Sequence, residues 1–472
     1  MEGLDGIVRM DYKRLPKKKV FFKLGIILAV MTVIYFLISI YFTNHFYYNT
    51  VINGVDVSYK TYDEVIPIIA EYIDQYQLEI VDRDGYTEKI TGNDIGLFLN
   101  KKSSIYQIQY MQKPYFWIIS YIKDCRYFVG DLFLYDEEAL SSRVDALICL
   151  NKEVIEPKSV SFEYSNGFYQ AIKEVYGNKI NRDLLNQVII RSILNGERTL
   201  DIDANNCYEN PKYTLHSDKT KETEDKLNKF VKSKVIYRFG SKNEIIDYKL
   251  IREWLRVNRN LDIIIDEQEI HNYLKELAKK YNTIGIKRNF KTSTGKIVEV
   301  SGGLYGWKID LFREKEILLE EIQSGKVIER EPTYAQRAFS REDNDIGNTY
   351  VEINITKQHL WFYKDGELVT EGPIVTGNAS RGFDTDLGTY MLNYKITDAT
   401  LRGQGYESKV KYWMPFYGNI GIHDARWRHS FGGKIYKQNG SHGCVNAPTY
   451  LARALYEEIE PGMPIICYEE EK

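Results

Sequence analysis

The chain has 472 residues and a formal charge of −3, about three times a typical ~150-residue domain, which argues against a single hydrophobic core. Residues 1–23 hold seven basic side chains (Arg9, Lys13, Arg14, Lys17, Lys18, Lys19, Lys23) against three acids, a net +4 that leaves −7 for the remainder. Such a mildly acidic body offers no basic face for nucleic acid, and five scattered cysteines without a Cys-x-x-Cys pair argue against a disulfide framework.

From Leu24 to Phe42 the chain runs 19 residues without a charge, close to the ~20 that span a bilayer as a helix. The basic residues before it predict a cytoplasmic tail over 1–23, a transmembrane helix over 24–42 and a cell-wall-facing remainder. A signal peptide requires a shorter apolar core and a small-residue cleavage site. The segment ends instead in Tyr41-Phe42 and, shortly after, Phe46-Tyr47-Tyr48, bulky and aromatic like an interfacial belt.

The next 290 or so residues read as duplicated. Phe162-Glu163-Tyr164-Ser165-Asn166-Gly167 aligns with Phe290-Lys291-Thr292-Ser293-Thr294-Gly295, and Val175-Tyr176-Gly177 with Leu304-Tyr305-Gly306, at offsets of 128 and 129; Asp136-Glu137 and Asp266-Glu267 open matching helices at an offset of 130. A near-constant offset predicts two tandem α+β domains, 43–210 and 211–335. Within the first, the apolar run Pro114 to Ile122 is too short to span a bilayer; it reads as a core helix, with an apolar face lying on the membrane as the alternative.

Polar, irregular sequence over 336–348 predicts a linker. Beyond it, Val351, Ile353 and Ile355 alternate with Glu352, Asn354 and Thr356, the pattern of a half-buried strand. Asp365-Gly366 predicts a hairpin turn. Pro448 followed by Leu451, Leu455 and Ile459 predicts a helix, and Pro464 to Tyr468 a closing strand. Residues 349–472 thus form a mostly-β domain.

In that domain stands Ser441-His442-Gly443-Cys444-Val445-Asn446, with His423 21 residues before the cysteine. A cysteine is a nucleophile only as its thiolate, so it needs a nearby base or cation, and either histidine offers one. Gly443 allows a carbonyl to approach the backbone closely. The loop lies between β structure and a helix N-terminus, whose dipole favours a thiolate. Tyr412-Trp413-Met414-Pro415-Phe416 is a wall of the expected cleft.

A histidine, 17 intervening residues and then Ser-His-Gly-Cys-Val-Asn closely resembles the active-site signature of the L,D-transpeptidases, which cross-link peptidoglycan stem peptides. The likeness extends through Gln358-His359-Leu360-Trp361 and Thr376-Gly377 and covers roughly 345–470. Val51-Ile52-Asn53-Gly54-Val55-Asp56, like the repeats, is similar to a domain found ahead of such enzymes and proposed to bind peptidoglycan; a mere stalk is the alternative.

The resemblance implies an acyltransferase of cell-wall biogenesis that needs neither cofactor nor metal. Cys444 would be the nucleophile and His423 the base, oriented by the carbonyl of Asp424. His442 would donate a hydrogen bond near the thiolate, and amides around Gly443 and Cys444 would hold the oxyanion. Ser441 and Asn446 would brace the loop beside the substrate, and Trp413 would contact it. The expected partners are donor and acceptor stem peptides and the bilayer at 24–42, with carbapenem β-lactams as inhibitors. Resolution of the acyl-enzyme by water would make an L,D-carboxypeptidase. Three further readings are weaker: a zinc site of His423, His429 and His442 has no common spacing, a non-catalytic scaffold leaves the cysteine and histidines unexplained, and a sortase needs a Thr-x-Thr-Cys nucleophile that is missing.

Overall fold

The computed structural model describes residues 17–342, 344–403 and 406–470. The basic residues Arg9, Lys13 and Arg14 and the linker residue Asp343 lie outside the described residues. Helix α1, Lys17–Tyr41, starts earlier than expected and leaves Phe42 in the turn that follows. Its stretch Phe21–Tyr41 has a mean hydropathy of 2.5 and is almost wholly exposed. An exposed apolar helix of this length is compatible with membrane anchoring.

The rest divides into two compact units, one running to Val160 and including Lys173–Thr214, the other comprising Ser161–Ile172 and the chain from Leu215 onward. In the first, α2 (Tyr62–Asp74) starts at a capping box of Thr61 and Glu64 and buries Val65, Ile69 and Ile73, spaced four apart on one face. Strand β1 (Gln77–Val81) pairs antiparallel with β2 (Thr87–Thr91); after α3 (Arg182–Leu194), β3 (Thr199–Asp201) joins β1 in parallel.

The second unit begins with the same arrangement. Helix α4 (Asp218–Val231) leads to β4 (Lys234–Phe239), which pairs antiparallel with β5 (Lys242–Ile246); after α5 (Glu267–Tyr281) and α6 (Leu311–Ser324), β6 (Val327–Arg330) joins β4 in parallel. The hairpin Ser161–Ser165 and Phe168–Ile172 falls within 43–210 in sequence but folds into this second unit. Tyr169 joins Leu227 and Tyr237 in its core, and the Tyr169 amide donates to Asn228 Oδ1 at 2.7 Å.

Two expectations are corrected here. Pro114–Tyr121 is a 3₁₀ helix with mostly exposed side chains, not a core helix; 3₁₀ geometry eclipses residues i and i+3, and a run apolar on all sides presents no single face to a core. The expected linker is packed: Ala338 and Ile346 are buried with Phe290, Tyr305 and Trp307, and Asp345 accepts from the fully buried Arg288 at 2.7 Å. Its polar residues satisfy buried partners rather than water.

The C-terminal domain has two sheets. One runs β9 (Glu367–Pro373), β8 (His359–Lys364), β7 (Tyr350–Asn354), β15 (Pro464–Tyr468), β10 (Gly388–Met391); the other runs β11 (Ile396–Gly403), β12 (Tyr406–Tyr417), β13 (Ile420–Asp424), β14 (Val445–Ala447). Helix α7 (Thr449–Glu458) buries Leu451 and Leu455 in the core they share. Asp365 and Gly366, at φ of 52° and 86°, form the expected hairpin turn.

Strand β7 is not half-buried as its alternation predicts. Glu352 is fully buried and accepts from the amide of Ser293 at 3.0 Å and from the hydroxyls of Ser293 and Tyr468, so its polar side is a domain contact rather than a solvent face. Nearby, main chain meets main chain: Thr389 N donates to Gly302 O at 3.2 Å and Tyr305 N to Thr389 O at 3.0 Å, and a Cβ on Gly303 would lie 2.0 Å from Thr389 O.

Replacing Asp345 by Ala leaves the Arg288 charge buried and unpaired, and is expected to destabilise this unit by about 3–5 kcal/mol, read from the denaturant midpoint; an unchanged midpoint would refute the pairing.

Candidate active site

The second sheet brings the distant motifs together. β12 pairs antiparallel with β13, placing Trp413 opposite His423, and β13 pairs in parallel with β14, placing His423 opposite Asn446. Paired residues project to one side of a sheet, so these three side chains form a row. Cys444 lies two residues before Asn446 and shares its side. His423, Cys444, Asn446, Ser441 and His442 then line one cleft of about 190 Å³.

The hydrogen bonds across this row have one direction. Arg428 Nε, which can only donate, gives a hydrogen bond to Asn446 Oδ1 at 2.7 Å. The amide nitrogen Nδ2 of Asn446 therefore faces His423 Nε2, at 3.0 Å. It donates, so Nε2 holds a lone pair. The ring proton then sits on Nδ1, 3.0 Å from the backbone carbonyl of Asp424. The tautomer is fixed as the one whose Nε2 accepts a proton.

Burial pushes the His423 pKa down, and the Arg428 charge pushes the same way, against the Asp424 carbonyl and carboxylate. The Asp424 carboxylate does not compete for the ring. Its Oδ1 accepts the amides of Lys411 at 2.7 Å and Tyr412 at 2.8 Å, and its Oδ2 pairs with Arg426 at 3.1 Å.

Cys444 packs with Val410 and Trp413, its thiol 3.5 Å from the carbonyl of Asn419. Burial raises its pKa to about 11, with a backbone hydrogen bond at Gly421 pulling the other way. This overturns the expectation of a dipole-stabilised thiolate: strand β14, about 10 Å of chain at 3.3 Å per residue, separates the sulfur from the N-terminus of α7. Burial thus works against the charged form of both groups.

The loop before Cys444 is tied from both sides. Ser441 Oγ donates to the Cys444 carbonyl and accepts the Gly443 amide at 3.1 Å. Thr385 Oγ1 donates to the Gly443 carbonyl at 2.7 Å and accepts the Gly377 amide at 3.0 Å. Gly443 has φ of 113°, a conformation that side chains disfavour, and this backbone demand accounts for the glycine. His442 is exposed at the cleft mouth, its ring 4.8 Å from that of Phe383.

Trp413 is misplaced by the sequence reading. It is 6% exposed and lies beneath the site, its ring against Gly421, where a Cβ would come within 2.7 Å of it. Trp427, 48% exposed and 5.9 Å from the His423 ring, lines the cleft instead. Trp427, Arg428 and Thr385 escaped the sequence reading because their partners lie across strands.

Asn446→Asp would present a carboxylate to Nε2 and draw the proton there. The expected loss in kcat is on the order of 10²-fold or more, with the ring proton moved to Nε2 in ¹⁵N NMR; an unchanged tautomer would refute the relay. Alkylation of Cys444 in the free protein should rise with pH across the neutral range and reach its half-maximum at about 11, because only the thiolate reacts. A plateau below pH 7 would mean that an ion pair already exists.

A family model described as the L,D-transpeptidase catalytic domain matches residues 348–467, and one described as a peptidoglycan binding domain matches 213–329. The Ldtfm–avibactam carbamoyl enzyme is 32% identical over 53% of this chain and 99% of its own, with a TM-score of 0.45. A cysteine-to-serine mutant of the Enterococcus faecium L,D-transpeptidase is 32% identical over 52% and 100%, TM-score 0.44. The catalytic domain of the E. faecium enzyme acylated by ertapenem is 38% identical over 26% and 98%, TM-score 0.24. A comparison with curated proteins finds no match. On the sequence identity over nearly the full length of those relatives, and with a cysteine, histidine and asparagine gathered in one cleft, this chain belongs to the L,D-transpeptidase family.

Proposed function

We propose that the chain forms 3-to-3 cross-links in peptidoglycan through a thioester on Cys444. The observation that carries the reading is the fixed His423 tautomer, whose basic Nε2 lies in the same cleft as the thiol. His423 Nε2 exchanges its bond from Asn446 for the Cys444 proton. The sulfur then attacks the carbonyl between the third residue of a tetrapeptide stem and its terminal D-alanine. The C–N bond breaks, and the departing amine takes the proton from His423. An amine of a second stem attacks the thioester, passes its proton to His423, and the C–S bond breaks to restore the thiol.

The oxyanion falls to the Cys444 amide, because Ser441 already occupies that of Gly443. Thr385 supports this assignment: it holds the Gly443 carbonyl, and carbonyl and amide point oppositely across one trans peptide plane. His442, at the mouth, faces the incoming stem. Acylation by carbapenems is the corresponding inhibitor reaction, as the ertapenem adduct of the E. faecium domain supports.

The same reading places α1 across the membrane with residues 1–23 in the cytoplasm and the cleft facing the wall. The shared topology of β3-β1-β2 and β6-β4-β5 supports a tandem pair of peptidoglycan-binding modules, of which the family match covers the second.

Incubating the protein with a disaccharide-tetrapeptide and weighing the products tests the chemistry. A dimer lighter by one alanine, absent with Cys444→Ala, is the expected result. A tripeptide alone would assign a carboxypeptidase, and no product from either protein would refute the reading.

A further inference from the structure

The apolar run Pro114 to Ile122 leaves the core yet has a fixed neighbour. Tyr35 of α1 donates its hydroxyl to the Tyr115 carbonyl, and the Trp117 ring lies 5.9 Å from that of Tyr35 and 6.0 Å from that of Phe42. The 3₁₀ helix is therefore docked along the last two turns of α1. Tyr35 precedes Tyr41 by six residues, which at 1.5 Å per residue is about 9 Å of helix axis. The stretch Phe21–Tyr41 has 21 residues, or about 31 Å by the same rise, the thickness of a bilayer's hydrocarbon core. Whatever solvent surrounds the outer end of α1 also surrounds this segment.

Its chemistry fits that depth. Tyr115, Phe116, Ile118, Ile119 and Ile122 are exposed, Ile122 at 81%, a contiguous apolar patch of a kind that water-facing surfaces seldom carry. Exposed Lys113 and Lys123 flank it at either end, placed to reach headgroups. Tyr121 stacks on Tyr48 at 4.7 Å and bonds the Tyr59 hydroxyl at 2.9 Å, so aromatic rings with polar tips gather where the helix ends.

We propose that residues 114–122 form a second membrane contact, lying in the outer leaflet at the boundary of headgroups and acyl chains. The partner is the lipid surface itself. This rests on the reading of α1 as a bilayer span and goes beyond it: a single spanning helix leaves the domain above it free to tilt and swivel, whereas a docked apolar segment beside that helix fixes the first unit against the bilayer.

The test uses the full chain in phosphatidylcholine–phosphatidylglycerol proteoliposomes, with Cys125→Ser and Cys444→Ala so that only buried cysteines remain. Nitroxides are placed at Ile119→Cys and Ile122→Cys, at Leu28→Cys in the span, and at the exposed Val327→Cys of the second unit. Accessibility to oxygen relative to a water-soluble nickel chelate is expected to be at least about threefold higher at 119 and 122 than at 327, as for interfacial helices. Water-like ratios at both sites with a lipid-like ratio at 28 would overturn the second contact and keep the anchor. Water-like ratios at all sites would overturn both. Low access to both reagents with spin–spin broadening would mean that a second copy covers the patch, and would also overturn the proposal. Both labelled isoleucines lie on the surface, and an unchanged circular dichroism melt confirms that each variant is folded.

Discussion

The site depends on the side chain that has no choice of role. A guanidinium only donates, so Arg428 fixes which end of Asn446 faces it, Asn446 fixes which nitrogen of His423 is bare, and the Asp424 carbonyl takes the remaining proton. Each later link has two possible orientations, and the first selects among them. The parallel pairing of β13 with β14 brings the links within reach, and the strand register thereby helps to set the His423 tautomer.

This arrangement orients the His423 ring without charging it. His423 is buried beside a cation, and Cys444 rests on an apolar shelf with its pKa raised to about 11. Neither group gains by ionising alone. Strand pairing aligns the His423 side chain while burial disfavours the charged form of either group. Preorganisation here concerns geometry rather than charge.

Much of this was legible in the chain, for definable reasons. Cys444, His423, Ser441 and Asn446 stand in a short pattern whose spacing is preserved by two adjacent strands, and the turn at Asp365-Gly366 carries its own backbone signal. What the sequence could not reveal was the side on which each residue finds its neighbours. Trp413 looked like a cleft wall because it is aromatic and near the motif, but Gly421 across the strand opens a slot that buries it. Glu352 read as solvent-facing because alternation marks a polar side without saying what covers it. Asp345 read as linker for the same reason, its buried partner Arg288 being 57 residues away. The 114–122 run carried apolarity without periodicity, a pattern that fits a core or a lipid surface equally.

The joint between the second module and the catalytic sheet is made of main chain. Gly302 and Gly303 lie against Gly388 and Thr389 with amide-to-carbonyl bonds, and positions 303 and 388 leave room for hydrogen only. Main-chain contacts are indifferent to side-chain drift, yet they forbid any residue larger than glycine at those two places. The two halves are therefore heritable as a pair: a module grafted from elsewhere would need matching glycines on both surfaces before it could seat. The angle between the second module and the cleft becomes a property of the backbone rather than of the side chains around it.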